Sequence, residues 1–202
     1  MKRAVYILLA LAYCGCAEAT EDLPFYRTAD LTPEWLSPEE GSSAPVVADF
    51  AFQDQDGQTV SRRVLEGKVY VANFFFVRCT AICPTMKTNM SRVQEAYASD
   101  SDVRMISHTV DPGSDTVPIL RGYASLNKVQ SGKWHLVTGS REDIYSLARD
   151  SYFADLDDLG EGFLHTENFY LVDADGHLRG VYNGTLELDV QRLIEDISVL
   201  RG

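Results

Sequence analysis

The stretch VYVANFFFVRCTAICPTMK, residues 69–87, decides the fold of this chain and carries two of its four cysteines. Its apolar run Val69–Val77 is too short for a buried helix and is typical of a central strand covered on both faces. Pro84 favours the first turn of a helix, where its missing N–H leaves no hydrogen bond unmade. Apolar residues then recur at spacings of three and four over residues 85–98. The stretch therefore predicts a buried strand, a short loop and a helix.

Cys79 and Cys83 lie in the loop and the first turn of that predicted helix. Unpaired backbone N–H groups and the positive end of the helix dipole are expected to lower the pKa of a thiol there. Residues four apart share one face of a helix, so the two sulfurs could close a disulfide or bind one metal ion together. A structural disulfide would stabilise more by closing a long loop. We expect a redox-active or metal-binding pair, with inert thiols or a structural disulfide as the alternative.

Strands and helices alternate along the rest of the chain. The pattern predicts a hairpin opening near residues 48–52 and restarting at 59–60, strand 103–110, helix 117–127, strand 133–138, helix 141–150, a hairpin of 168–172 and 178–182, and helix 187–200. This order is typical of an α/β protein, specifically a thioredoxin-like three-layer sandwich with an N-terminal β-hairpin extension. Residues 46–202 are expected to form this one domain.

Residues 1–16 have the architecture of a signal peptide. Lys2 and Arg3 precede an apolar segment that is too short to span a bilayer comfortably. The end of this segment resembles a bacterial lipoprotein signal, whose cleavage leaves a lipidated N-terminal cysteine. Gly15 favours Cys16 as that residue over Cys14, with simple secretion or an uncleaved anchor as alternatives. We expect a protein of the cell envelope, outside the cytoplasm and anchored to the membrane, facing the periplasm in a Gram-negative cell.

That location bears on the thiols, because a cysteine pair in an oxidising space forms a disulfide unless a reductant or a soft metal holds it. Residues 17–45 contain four prolines and the acidic, serine-rich stretch 39–43, which together predict an extended linker between anchor and domain. With 30 acidic against 18 basic residues the net charge is −12, which excludes a nucleic-acid partner.

His165 lies in the loop before the strand at 168–172. In a thioredoxin-like fold this loop lies beside the N-terminal end of the cysteine helix. Soft Cu(I) prefers thiolates, and an imidazole would complete a three-coordinate site that can also hold Cu(II). A loop histidine considered alone is more often a solvated side chain. Of the other histidines, His108 and His135 are expected in the core or at a sheet edge, and His177 is expected to be exposed.

Residues 76–86, FVRCTAICPTM, resemble the metal motif of the Sco/SenC family, the copper chaperones for cytochrome c oxidase. The likeness extends to the pre-domain segment (23–26 and 32–35) and to the aspartate loop (109–112 with 115–116). His165 falls where the family places its copper histidine. The resemblance implies that Cys79, Cys83 and His165 hold one copper ion, Cu(I) or Cu(II). Glu167 departs from the family pattern, where a small polar residue is expected, and makes the rim of the site more acidic.

The resemblance also implies a metallochaperone more than an enzyme, with thiol–disulfide oxidoreductase activity left open. Its partner would be the copper-site subunit of cytochrome c oxidase, or another copper donor or acceptor. It would help that subunit's binuclear site to mature by transferring copper, by reducing the site's cysteines, or both. Asp111 and Asp115 are candidates to orient the metal ligands through hydrogen bonds, although turn and helix-cap chemistry is the more common role for such residues. Met86 is a further soft donor, but a core methionine is the more common case.

Two other functions stay open. A thiol–disulfide oxidoreductase would need no copper, but such proteins use C-x-x-C, which is one residue shorter. Residues 80–85 also resemble the peroxidatic motif of peroxiredoxins, with Cys83 as the nucleophile and Cys79 resolving it. That family has a proline where Phe76 stands, and it offers no role for His165.

Overall fold

A central β-sheet covered by helices on both faces forms the body of the protein. The computed structural model describes residues 22–154 and 166–202. The strands are β1 (Phe25–Tyr26), β2 (Pro33–Glu34), β3 (Ala51–Asp54), β4 (Thr59–Ser61), β5 (Val69–Phe75), β6 (Val103–Thr109), β7 (Trp134–Thr138), β8 (Asn168–Val172) and β9 (Leu178–Asn183). The helices are α1 (Pro38–Gly41), α2 (Arg62–Leu65), α3 (Cys83–Ala96), α4 (Val117–Leu126), α5 (Arg141–Tyr152) and α6 (Glu187–Arg201).

Seven strands form one mixed sheet in the order β4-β3-β7-β6-β5-β8-β9. Strands β5, β6 and β7 run parallel, and the two hairpins, β3–β4 and β8–β9, flank them with antiparallel pairing. Because the carboxyl ends of parallel strands meet at one edge, the loops after β5 and β6 lie together. The predicted α/β fold with an N-terminal hairpin is confirmed.

Strand β5 lies at the centre of the core, and all seven of its residues are buried. Val69, Val71 and Phe75 face one apolar cluster, which α3, α4 and α6 cover. Tyr70 and Phe74 face the second cluster, which α2 and α5 cover. This two-sided burial explains why the strand is a continuous apolar run.

Residues 22–45 differ from the extended linker that the sequence predicts for residues 17–45. Leu23 and Phe25 are buried, and β1 packs against the edge strand β9. The Arg179 guanidinium lies 3.9 Å from the centre of the Phe25 ring and donates hydrogen bonds to the carbonyls of Leu23 and Pro24. This segment is therefore part of the folded domain. The sequence pattern does not predict this packing, because the few apolar residues of the segment are widely spaced among prolines and acidic residues.

The histidines in the strands lie in the interior, as expected: His108 is fully buried and His135 is 7% exposed. The expectation that His177 is exposed is wrong. Its Nδ1 lies 3.1 Å from the carbonyl oxygen of Pro45, and its ring contacts Phe25 edge-on. The N-terminal segment covers this histidine. Across the described ranges, no helix is long and apolar enough to cross a membrane.

Candidate metal centre

The two thiols lie at the carboxyl edge of the parallel strands. Strand β5 ends at Phe75, and the Cys79 N–H donates to the carbonyl of Phe76 at 3.2 Å, which turns the chain. Helix α3 begins at Cys83 itself, two residues earlier than predicted, with Pro84 in its first turn. Cys79 therefore lies in the loop and Cys83 at the start of the helix.

Both cysteines are free thiols, and they lie close enough for Cys79 to affect the titration of Cys83. Cys79 is partly exposed, whereas Cys83 is 7% exposed. Cys83 packs in the same apolar core cluster as Met86, which is also on α3. Met86 is fully enclosed there, as a core methionine. The arrangement offers two adjacent sulfur donors, one of which can be reached from solvent.

Burial is the main reason that the pKa of the Cys83 thiol is raised to about 12, and the neighbouring Cys79 contributes to the increase. Backbone hydrogen bonds at Phe76 and Cys83 act in the opposite direction but are outweighed. The expectation that the helix N-terminus lowers the thiol pKa is therefore wrong for Cys83 in the metal-free protein. A soft cation that binds the sulfur would reverse this preference, because it replaces the proton.

Tyr123 approaches the thiols from α4 and was not anticipated from the sequence. Its ring packs against Phe75 with centroids 5.7 Å apart. Burial, together with the neighbouring Cys83 and Cys79, raises the pKa of this phenol to about 12. Its spacing from Leu120 marks the inward face of α4, but only the tertiary structure places that face beside the cysteines.

Asp115 binds the loop that leads to Cys79. One of its carboxylate oxygens accepts hydrogen bonds from the backbone N–H of Val77, at 3.0 Å, and from the Thr109 hydroxyl. Burial raises the pKa of this carboxyl, although these two hydrogen bonds oppose the increase. The Val77 N–H thus donates to a side chain and not to a neighbouring strand. For this reason β5 ends at Phe75, two residues before the predicted end at Val77.

Asp111 holds the next residue of the same loop. Its carboxylate forms an ion pair with Arg78 at 2.9 Å, and its backbone N–H donates to the Thr109 hydroxyl. The two residues before Cys79 are thus both tied to the segment after β6. Both aspartates therefore contact the loop that leads to Cys79.

Asn89 joins the cysteine helix to the ends of β8 and β9. This buried side chain donates to the carbonyl of Gly184 at 2.8 Å, and Gly184 donates its N–H to the carbonyl of Glu167 at 2.6 Å. A Cβ atom on Gly184 would lie 2.9 Å from that same carbonyl, so only glycine permits the approach. Glu167, just before β8, is thus connected to α3 through Gly184 and Asn89.

The structure leaves the third proposed ligand open. His165 lies outside the described residues, as do Cys14 and Cys16. Within 22–154 and 166–202, no group of three or more His, Cys, Asp or Glu residues could hold a metal ion. Two adjacent unbonded sulfurs nevertheless suit a soft cation such as Cu(I), which prefers thiolates.

Comparison with known proteins gives this geometry a context. Residues 38–200 match the family model described as SCO1/SenC. A SCO1/SenC family lipoprotein from Bacillus anthracis is 30% identical, with a TM-score of 0.70 over 78% of this chain and 95% of that one.

Two further solved structures carry functional information about the proteins they describe. BsSco, a member of the Sco family of cytochrome c oxidase assembly proteins in which a disulfide switch was identified, is 34% identical, with a TM-score of 0.67 over 77% of this chain and 92% of that one. ScoI of Bradyrhizobium japonicum, solved with copper bound, is 26% identical, with a TM-score of 0.61 over 76% of this chain and 98% of that one.

Proposed function

Because this chain belongs to the SCO1/SenC family, we propose that it is a copper metallochaperone that helps the binuclear copper site of cytochrome c oxidase to mature. One observation carries the proposal: Cys79, in the loop before α3, and Cys83, the first residue of α3, are neighbouring free thiols, and Cys79 is partly exposed to solvent. The copper-bound relative and the relative with a disulfide switch support it.

We propose that the copper ion, the cargo, is held by the sulfurs of Cys79 and Cys83 and by the imidazole of His165. Two thiolates and one imidazole satisfy Cu(I) in three-coordinate geometry and can also accommodate Cu(II). Binding displaces the Cys83 proton, so affinity falls as the pH drops. Asp115 and Asp111 contribute by fixing the backbone before Cys79.

Transfer proceeds by ligand exchange. An incoming thiolate of the acceptor replaces Cys79 first, because that sulfur is partly exposed, and a second thiolate then replaces Cys83. The free energy of reprotonating Cys83, whose metal-free pKa is about 12, favours its departure. The ion therefore passes between proteins without being released into solution.

The acceptor that we propose is the copper-site subunit of cytochrome c oxidase, at the outer side of the membrane. The location follows from the signal segment and the proposed lipid on Cys16 or Cys14. The related Bacillus anthracis protein is a lipoprotein, which supports an anchored state for this chain.

A second candidate function is reduction of the acceptor's cysteines. The free Cys79–Cys83 pair could transfer two electrons to a target disulfide, which becomes two thiols as the pair closes its own disulfide. The disulfide switch in BsSco favours this candidate. A peroxidase is disfavoured, because its attacking thiolate would have to be Cys83 itself, and burial raises the pKa of that thiol to about 12.

A competitive Cu(I) titration of the reduced protein tests the proposal, with Cys79→Ser, Cys83→Ser and His165→Ala alongside. We expect each cysteine variant to lose tight Cu(I) binding. His165→Ala should abolish the optical bands of the Cu(II) form and leave disulfide formation intact.

Thr80→Ala is the matched control, because Thr80 is an exposed residue of the same loop. We expect it to bind copper as the wild type does. Unchanged copper affinity in His165→Ala would show that the ligand set is wrong. Tight binding that survives both cysteine changes would remove the metallochaperone proposal and leave the reductase.

A further inference from the structure

The length of chain between a lipid anchor and the described domain limits how far the domain can lie from the bilayer. The described structure begins at Asp22, which accepts a hydrogen bond from Arg179 at 3.0 Å. The six peptide units between Cys16 and Asp22 span at most about 20 Å, whereas a linker extending to residue 46 would span about 100 Å. An anchor at Cys16 would therefore hold the domain close to the bilayer.

Arg179 holds the segment from Asp22 to Pro24 against the rest of the domain. Its guanidinium is 7% exposed and binds Asp22, the carbonyls of Leu23 and Pro24, and the carboxylate of Asp173, at 3.0 Å. Breaking these contacts to lengthen the tether would leave a buried cation without most of its partners, which is costly. The segment from Asp22 onward therefore stays with the domain.

Trp35 is exposed beside this point of departure. The side chain of Trp35 is the most exposed aromatic among the large apolar residues of the described ranges, at 69% exposure. Its indole N–H donates to the backbone carbonyl of Asp22 at 3.2 Å, so the ring lies where the chain leaves toward the anchor. Tryptophan is enriched at membrane–water interfaces, because its ring is apolar and its N–H is polar.

We propose that the surface formed by Asp22–Tyr26 and Pro33–Trp35, the tether edge, rests on the lipid bilayer, with Trp35 as its interfacial contact. The inference rests on the lipid anchor in the proposed function and adds an orientation to it. The occupant is a lipid surface because the chain departs from this edge and ends, within about 20 Å, in the proposed acyl chains.

Charge does not drive the contact. The tether edge contains Asp22 and Glu34, and its neighbour Arg27 is engaged in an ion pair with Glu34. An anionic lipid surface therefore gains little from this face, and a single tryptophan binds weakly by itself. A short tether supplies the missing affinity, because it holds the edge at an effective concentration of about millimolar or above.

The orientation bears on the choice of partner. A domain held against the bilayer stays near the membrane surface, which favours encounters with a membrane-embedded acceptor such as the proposed one.

Tryptophan fluorescence of the full lipid-modified protein tests the proposal in phosphatidylcholine–phosphatidylglycerol vesicles with brominated acyl chains. The chain has two tryptophans, and the other, Trp134, is 2% exposed. We expect vesicle-bound protein to show blue-shifted, bromine-quenched emission that is lost in Trp35→Phe. An insertion of about 20 Gly and Ser residues before Asp22 should weaken the quenching, because it lowers the effective concentration.

Leu126→Ala is the control, because Leu126 is an exposed apolar side chain on α4, at 85% exposure, and should leave the quenching unchanged. Equal quenching in Trp35→Phe, no quenching in the wild type, or a mature N-terminus without a lipidated cysteine would each overturn the proposal. Cu(I) affinity measured on Trp35→Phe should equal that of the wild type. Failure to bind copper would thus count against the metallochaperone and not against the tether edge.

Discussion

Individual side chains show that burial outweighs local sequence position in this protein. Cys83 lies at a helix N-terminus, where a thiol pKa ordinarily falls, yet burial raises it to about 12. The low dielectric of the core disfavours the thiolate more strongly than the first turn of α3 favours it. A bound soft metal or a disulfide would remove this cost, which is consistent with the proposed copper site.

His108 is the most strongly perturbed histidine among the described residues. Its ring is stacked on Phe74 at 5.3 Å and contacts Phe50 and Phe52 edge-on. In the described part of the chain, neither ring nitrogen has a hydrogen-bond partner. Burial lowers the pKa of His108 to about 3.

We therefore expect acid to destabilise the protein through His108. The unfolded chain binds a proton there below about pH 6.5, whereas the folded protein does not until about pH 3. The free energy of unfolding should fall by about 1.4 kcal/mol per pH unit across this interval from this residue alone. In His108→Leu that contribution disappears, and urea titrations from pH 8 to pH 4 would measure the difference.

At pH 8 the imidazole is neutral in both states, and His108→Leu should be close to the wild type in stability, since an apolar group replaces a polar one without partners. Parallel pH profiles for the two proteins would contradict this account of His108.

Among the secondary-structure elements, the loop that leads to Cys79 is positioned by its neighbours more than by its own sequence. The loop after β5 is tied to the segment after β6 through Asp115, and α3 is tied to β9 through Asn89. These contacts connect elements distant in sequence, so the loop's geometry depends on the sheet being complete.

Asp115→Ala tests this dependence. It leaves the Val77 N–H and the Thr109 hydroxyl without their acceptor, and we expect a loss of about 1–3 kcal/mol in stability together with weaker Cu(I) binding. Amide hydrogen exchange at Val77 and Cu(I) competition would measure both effects. Asp115→Asn retains a carbonyl acceptor and should lie between the alanine variant and the wild type. Slow exchange at Val77 in the alanine variant would show that Asp115 does not hold the loop.

At the scale of the whole molecule, the N-terminal segment belongs to the folded unit. Phe25 lies between Arg179 and Gly41, where an added Cβ would approach the ring to 2.7 Å. Burial of large apolar side chains such as Leu23 and Phe25 contributes about 1.5–3 kcal/mol each.

A chain that begins at Val46 should therefore have a lower free energy of unfolding than one that begins at Asp22. The expected difference is several kcal/mol, about the sum for those two side chains, and urea titrations would measure it. The chain from Asp22 is the control, because it retains the contacts of Arg179. Equal stability of the two truncated chains would restore the interpretation of residues 22–45 as a free linker.

Sequence patterns alone predicted the α/β class, the buried strand β5, the position of the thiols around the start of α3 and the resemblance to the Sco/SenC family, which is confirmed. These follow from apolar periodicity and from a motif that is local in the chain. The tertiary structure decided the high pKa of Cys83, the burial of His177, the hydrogen bonds of Asp115 and Asn89, and the docking of residues 22–45. All of these depend on groups that are distant in sequence and meet only when the sheet and its two helical layers have formed, and such contacts leave no periodic signal along the chain.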